Sequence, residues 1–414
     1  MVDLQNPARF ANVARRRRIV VFFWVCVLLN TTEQISGQLK DSVQRPSAVF
    51  GDERSGQSGT LSVTIRESES EIVVSGRILV RAADGGLLIE ERSGRIRIVK
   101  AETIIQESVS DSPFTRFNSD ELSAYLRGIT GPEFGITKTP HYVICSNSSP
   151  EYAEFCGKLL ERVHGEFFDL FEHETRPFIV QPTAPLPIII LATNQELVAF
   201  GKTQHPDVSF EDTPGYYSVR ENQVLMHDLS GEPQRSSISS IRKKLSGMPR
   251  QVSTVVHEAV HQLAFNSGLQ VRMADNPLWF SEGLSLWFEP ASVRSTLLWN
   301  RPGQVNPVHQ PLFRSQIIGE RLVLPLQQLV ASDAPFQNAD QVAAAYSESW
   351  ALMTWLIRKD PEGMDRFMKA ISQRKPLKQL TPDERSLEFQ SAFEESLDEI
   401  ETSLIPYIGR MRVP

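Results

Sequence analysis

The sequence is poor in cysteine, with three among its 414 residues. That number is too small for a disulfide scaffold or for a metal domain built from cysteines. Basic residues are not in excess either, because 43 Lys and Arg stand against 50 Asp and Glu. Binding a nucleic acid backbone requires a basic face. The net charge of −7 therefore argues against nucleic acid as the main partner.

An apolar run near the N-terminus, Ile19 to Leu29, follows four arginines at positions 15–18. A bilayer-spanning helix needs about 20 apolar residues, so this run is short for a span. A basic segment, a short apolar run and small residues downstream are typical of a secretory signal peptide. We predict that residues 1–37 form that signal and that cleavage falls between about Gly37 and Leu39. The mature protein would be extracytoplasmic, periplasmic or secreted, without a stable membrane span; an uncleaved anchor is the alternative.

The length of the chain predicts two or three domains, and 41% hydrophobic with 22% charged residues is typical of a globular protein. Residues 38–58 are polar and predict a flexible leader. Residues 59–110 contain short β-type runs separated by glycine turns, which indicates a small antiparallel β module. Residues 120–290 alternate between strands and helices, and residues 291–414 are helical in pattern. The predicted fold class is α+β.

Cys145 and Cys156 would enter an oxidising compartment if the chain is exported. Cys145 ends an apolar run typical of a strand, and Cys156 lies in the amphipathic segment that follows. A disulfide bridge between them and a pair of buried free thiols are both compatible with this placement.

The most informative stretch is His257-Glu258-Ala-Val-His261, within a segment whose apolar spacing favours a helix. Side chains four residues apart share a helix face, so both histidines can direct an imidazole nitrogen at one Zn²⁺ ion. Glu258 would lie beside the metal, where its carboxylate could take a proton from water as a general base. This is the H-E-x-x-H pattern of zinc peptidases.

A catalytic zinc site also needs a third protein ligand. Glu282 lies on a second predicted helix between Pro277 and Pro290, where a loop and a turn of helix could return a carboxylate to the imidazoles. Asp275 is the rival third ligand, in a predicted loop just before Pro277. The extended metzincin pattern is not met, because Ala264 and Ser267 stand where it has Gly and His.

His257-Glu258-x-x-His261 followed by Trp279-x-x-Glu282-Gly283-Leu resembles the gluzincin, or peptidase-MA-like, zinc metallopeptidases. The resemblance implies a thermolysin-like domain, with a mixed sheet above the active helix and a helical C-terminal subdomain. It implies that His257, His261 and Glu282 are zinc ligands and that Glu258 is the general base.

One position departs from that family. Thermolysin-type enzymes have an acidic residue four positions after the third ligand, where this chain has Leu286. Glu289 or Asp275 would then have to orient an imidazole. The resemblance also suggests that Tyr346 donates its hydroxyl to the developing oxyanion; the alternative is a tyrosine that only packs.

Substrate binding is predicted at Gln223–Asp228, a segment of strand pattern that follows a Gly-Tyr-Tyr run just before the zinc helix. We expect this segment to be the edge strand of the sheet, because an extended peptide can add to such an edge by main-chain hydrogen bonds. The residues involved would be Gln223, Val224, Leu225, Met226 and His227.

The sequence therefore predicts an exported zinc metallopeptidase that acts on a peptide or protein substrate. Two rival interpretations use the same residues. One is a catalytically degenerate zincin fold that serves as a binding or envelope-structural module, and the other is a hydrolase of a non-peptide amide.

Overall fold

The computed structural model describes residues 59–231, 237–319 and 321–413. The predicted signal peptide and leader, residues 1–58, lie outside this part of the chain. No helix within the described ranges is long and apolar enough to cross a membrane. The fold is mixed α+β, with an antiparallel N-terminal sheet, a second mixed sheet, and helices that follow both.

The N-terminal sheet is built from five antiparallel strands in the spatial order β4-β3-β2-β1-β5. Its strands are β1 (Gly59–Glu67), β2 (Ser70–Arg81), β3 (Leu87–Glu91), β4 (Ile96–Val99) and β5 (Ile104–Pro113). The turns before and after β3 need a left-handed backbone, which Gly85 and Gly94 supply at φ values of 93° and 89°. Alternation along β3 directs Leu87 and Ile89 into the sheet's own core. Leu88, on the opposite face, joins the large core of the following body.

The second sheet has the spatial order β6-β7-β8-β10-β9. Its strands are β6 (Gly135–Lys138), β7 (Tyr142–Ser146), β8 (Leu186–Leu191), β9 (Gly215–Ser218) and β10 (Gln223–His227). β7, β8 and β10 are parallel, while β6 and β9 pair antiparallel at the two edges. β8 is buried along its whole length, as expected for an apolar central strand covered on both faces.

Thirteen α-helices lie within the described residues; the first leads from β5 into the second sheet, and the next two connect strands of that sheet. These three are α1 (Ser119–Thr130), α2 (Pro150–Phe171) and α3 (Asn194–Gln204). The remaining helices are α4 (Ile238–Ser246), α5 (Pro249–Asn266), α6 (Leu278–Phe288), α7 (His309–Ser315), α8 (Leu326–Ala331), α9 (Ala334–Gln337), α10 (Val342–Lys359), α11 (Pro361–Ser372), α12 (Pro382–Phe393) and α13 (Leu397–Gly409).

The prediction that Gln223–Asp228 forms the edge strand is wrong. β10 pairs with β8 on one side and with β9 on the other, so its backbone is engaged by both neighbours. The two strands of this hairpin have similar apolar sequence patterns. Only the packing of the whole sheet therefore decides which of them pairs with β8. The edge strand is β9, and the substrate role assigned to Gln223–His227 is withdrawn.

Three smaller features complete the description of this part of the fold. The charged run Arg242–Lys244 belongs to helix α4, where Ile241 and Leu245 supply a buried face. His205 is buried, and its Nε2 lies 3.1 Å from the Ser218 hydroxyl. Cys145 and Cys156 are both buried free thiols, the second of the two alternatives.

Candidate metal centre

Three side chains from two neighbouring helices converge at one buried point. His257 and His261 lie one turn apart on α5, and Glu282 lies on α6. All three are at most 1% exposed. Their candidate ligand atoms lie within 4.8 Å of one another, and this group could hold a metal ion.

The spacing of these atoms suits a tetrahedral cation. The two Nε2 atoms are 3.0 Å apart, and the Glu282 carboxylate oxygens lie 3.3 Å from Nε2 of His257 and 3.5 Å from Nε2 of His261. Ligands at about 2.0–2.1 Å from a tetrahedral Zn²⁺ are separated by about 3.3 Å. The donor set, two imidazoles and one carboxylate, also matches known catalytic zinc sites. The residues therefore fit the metal that the sequence predicts.

The other nitrogen of each imidazole is held in place. Nδ1 of His257 lies 2.7 Å from Glu289 Oε1, and Nδ1 of His261 lies 3.3 Å from the Ser285 hydroxyl. Nδ1 of His257 donates to the Glu289 carboxylate, so Nε2 is the nitrogen that faces the shared centre and would bind a metal once its own proton is displaced. Glu289, rather than Asp275, therefore orients the imidazole of His257. It does so in a chain that has Leu286 at the position where thermolysin-type enzymes have an acidic residue.

Asn306 fixes Glu289 in turn. Its Nδ2 donates to Oε2 of Glu289 and to the carbonyl of Leu286, each at 3.2 Å. Its Oδ1 accepts from the N–H groups of Val308 and His309 at the start of α7. The orientation of His257 thus depends on a loop residue beyond α6.

Glu258 is buried beside the three candidate ligands. Its Oε2 accepts a 2.6 Å hydrogen bond from the backbone N–H of Tyr217, on the edge strand β9. Burial raises the pKa of Glu258 to about 8; the nearby His257 opposes the rise, and Glu282 adds to it. A divalent cation at the triad would favour the charged carboxylate and lower this pKa.

Burial and neighbouring charges act differently on the two histidines. Burial alone would lower the pKa of His257, but hydrogen bonds with Glu282 and Glu289 outweigh it and raise the pKa to about 10. Burial lowers the pKa of His261 to about 3, so that imidazole is in the neutral form that binds metals.

Asp275, the rival third ligand, is engaged elsewhere. Its carboxylate pairs with the guanidinium of Arg385 and accepts a 2.7 Å hydrogen bond from the N–H of Leu380. It ties the loop before α6 to the C-terminal helices. Glu282, not Asp275, accompanies the two histidines.

Tyr346, the candidate oxyanion donor, lies on α10, which packs against α6 through the close approach of Ser349 to Gly283. The tyrosine is 7% exposed, and its ring contacts that of Phe336 in an edge-on arrangement. This packing is the alternative named for it, and its role toward substrate stays a prediction.

Sequence reasoning did not find Asn306, Ser285 or the Tyr217 N–H. Ser285 had a signal, because it lies three residues after Glu282 on the same helix face. Asn306 and the Tyr217 backbone reach the site through tertiary packing, and no sequence pattern near His257 points to them.

Comparisons with known proteins give one family match. A family described as a protein of unknown function (DUF1570) matches residues 251–378, about a third of the chain. That segment contains His257, Glu258, His261 and Glu282, together with Tyr346. No curated protein matches the chain.

Proposed function

We propose that this protein is a zinc-dependent metallopeptidase of the gluzincin type, in which His257, His261 and Glu282 hold the metal. The convergence of two Nε2 atoms and one carboxylate at a buried point, with Glu258 beside it, carries the proposal. The thermolysin-like arrangement of the domain and its export through a signal peptide belong to the same proposal.

Zinc, when bound, supplies a Lewis acid that polarises the scissile carbonyl and makes water more acidic. The side chains of this protein would hold and transfer the protons at the metal site. The Glu258 carboxylate takes a proton from the attacking water and passes it to the leaving amine. Its 2.6 Å hydrogen bond from the Tyr217 N–H fixes the direction in which the carboxylate points.

Two substitutions separate the ligand from the base. Glu282→Ala removes one of three protein ligands, so we expect zinc affinity to fall steeply and thermal stability to fall with it. Glu258→Gln keeps the shape and removes the basic carboxylate. That protein should keep about one zinc per chain while turnover falls by roughly 10² to 10⁴. The measurements are elemental analysis of zinc and hydrolysis of casein.

Glu348→Gln is the matched control, because Glu348 is also buried and burial raises its pKa to about 9, so the substitution removes no charge at neutral pH. It should keep both zinc and turnover. Wild-type protein that binds zinc but cleaves no peptide would support the binding-module interpretation. Wild-type protein that binds no zinc would refute the proposal.

A further inference from the structure

The N-terminal sheet contacts the second sheet where its β3–β4 turn packs against the β9–β10 turn. The N–H of Ile96, at the start of β4, donates to the carbonyl of Arg220 in the β9–β10 turn at 2.7 Å. Arg272, in the loop after α5, donates through Nη1 to the carbonyl of Gly94 at 2.6 Å. The side chains of Arg95 and Glu221 pair at 3.0 Å across the same joint.

Glu90 is the buried ionic centre of this joint. It lies on β3, is 1% exposed, and contacts the guanidinium groups of Arg77, Arg116 and Arg272. A buried carboxylate is tolerated only when its partners are held in place. Arg77 belongs to the same sheet, whereas Arg272 follows α5, so the ionic centre spans both parts of the molecule.

Hydrogen bonds continue from this ionic centre to α5, the helix that carries His257, Glu258 and His261. Nη1 of Arg116 donates to Oδ1 of Asn266, the last residue of α5, at 3.1 Å. The amides of Asn266 and Asn222 donate to each other at 2.8 and 3.0 Å. The hydroxyl of Tyr217 donates to Oδ1 of Asn222 at 2.7 Å. Asn222 holds a left-handed backbone, with φ at 56°, in the β9–β10 turn.

The last step reaches the general base. The carbonyl of Pro214 accepts from the N–H of His227 on β10. Hydrogen-bonded and non-bonded pairs alternate in an antiparallel ladder, so Tyr216 and Ser218 bond to β10 and Tyr217 does not. The N–H of Tyr217 therefore points out of the sheet edge, where it donates to Glu258.

We propose that the N-terminal sheet contributes to catalysis, because it positions Glu258 through the β9–β10 hairpin. Arg116, Arg272, Asn222 and Asn266 are positioning residues in this scheme, and none of them belongs to the candidate metal-binding triad. The inference rests on the proposed function for the role of Glu258 as base, but the connection itself is a property of the fold.

The test uses the full-length, zinc-loaded protein with Arg116→Gln, Asn266→Ala and Tyr217→Phe, each of which removes one link. We expect zinc content and KM to stay near wild type while kcat falls about 10- to 100-fold, because misplacement of a reacting group reduces the chemical step. The double variant Arg116→Gln/Tyr217→Phe should lose less than the product of the two single losses, since both act through one chain of contacts.

A second readout does not depend on activity. Hydrogen–deuterium exchange of the peptide covering residues 215–223 should accelerate about 10-fold in Arg116→Gln and Asn266→Ala, because its hairpin loses an anchor. Arg81→Gln is the control, since Arg81 pairs with Glu107 within the N-terminal sheet and should leave both readouts unchanged. Unchanged exchange and kcat in the linked variants would overturn the inference. If wild-type protein hydrolyses nothing, the proposed function fails and the exchange data alone decide the connection.

Discussion

Glu289 orients a candidate metal ligand from an unexpected position. It is the first residue after α6, seven positions beyond Glu282, yet it lies 2.7 Å from Nδ1 of His257. The Ser253 hydroxyl of α5 donates to its backbone carbonyl at 3.0 Å, and Asn306 donates to its side chain. The end of α6 is therefore fixed from both sides. A carboxylate–histidine pair of this kind makes the imidazole a better donor to a metal.

Glu289→Gln tests this pairing at the metal. The glutamine keeps the size but not the charge of the acceptor, so we expect zinc affinity to fall about 10- to 100-fold. Asn306→Asp is the companion variant. Its carboxylate can still accept from the N–H groups of Val308 and His309, but it repels Glu289 and donates nothing to it. Competition titration with a zinc chelator measures both proteins, and wild-type affinity in both would show that the pairing has no role.

The residues of the candidate metal centre could be predicted from the sequence, because their spacing carries the chemistry. His257, Glu258 and His261 need only one helix to come together, and Glu282 needs only a second helix that packs on the first. Asn306 acts through the packing of its loop against α6, so no local spacing encodes it. Asp275 illustrates the converse. Its distance from the histidines along the sequence would suit a third ligand, but its carboxylate forms an ion pair with Arg385, which lies far along the chain.

At the scale of secondary structure, the sheet shows what an alternating pattern cannot specify. β9 and β10 are the two strands of one hairpin. The pattern does not determine which of the two continues the parallel sheet from β8. The burial of Leu186–Leu191 indicates a central strand, but its two neighbours are chosen by the crossover through α3 and by the covering helices. The same applies to α4, whose short apolar face is too small to stand out in the sequence.

The helices that carry the site depend on one close approach. A Cβ added at Gly283 on α6 would lie 2.7 Å from the Ser349 carbonyl oxygen and 3.2 Å from Cβ of Met353, both on α10. Backbone atoms of a packed helix cannot easily move aside. Gly283 therefore sets the distance between α6 and α10, directly beside the candidate ligand Glu282.

Gly283→Ala should push these two helices apart. We expect a loss of about 1–3 kcal/mol in the free energy of unfolding, typical of overpacking, and weaker zinc binding because Glu282 moves with α6. Gly165→Ala is the control, since Gly165 lies within α2 and a Cβ added there would meet no neighbouring element within 4 Å. That change should be neutral or stabilise by about 0.5–1 kcal/mol. Urea denaturation of both proteins is the measurement, and equal stability would contradict the role given to Gly283.

Across the whole molecule, the N-terminal sheet and the body share one apolar core. Leu88 and Ile96 of the sheet pack in the same cluster as residues of α2 and α5. Glu90 and Leu88 lie on the same face of β3, so the ionic centre lies on the face of the sheet that packs against the body. Both an apolar and a charged contact therefore hold the sheet in place.

Glu90 gives this joint a defined dependence on pH. Burial alone would raise the pKa of Glu90, but the charges of Arg272, Arg116 and Arg77 outweigh it and lower the pKa from 4.5 to about 2. A carboxylate whose pKa is lowered by folding stabilises the protein above its unfolded pKa. That contribution is about 3 kcal/mol at neutral pH, and it is lost as pH falls from about 4.5 to about 2.

Glu90→Gln should therefore be less stable than wild type at pH 7 by at least about 3 kcal/mol, because Arg272 also loses a buried partner. The difference should shrink as the pH is lowered toward 2, where the wild-type carboxyl becomes neutral too. Urea denaturation of both proteins at a series of pH values gives this difference, in which effects common to both, such as loss of metal in acid, cancel. Glu107→Gln is the control, because its pair with Arg81 lies at the surface, where such pairs contribute about 0–1 kcal/mol. A stability difference for Glu90→Gln that does not change with pH would show that the carboxylate charge does not hold the joint, and that the shared apolar core alone attaches the sheet.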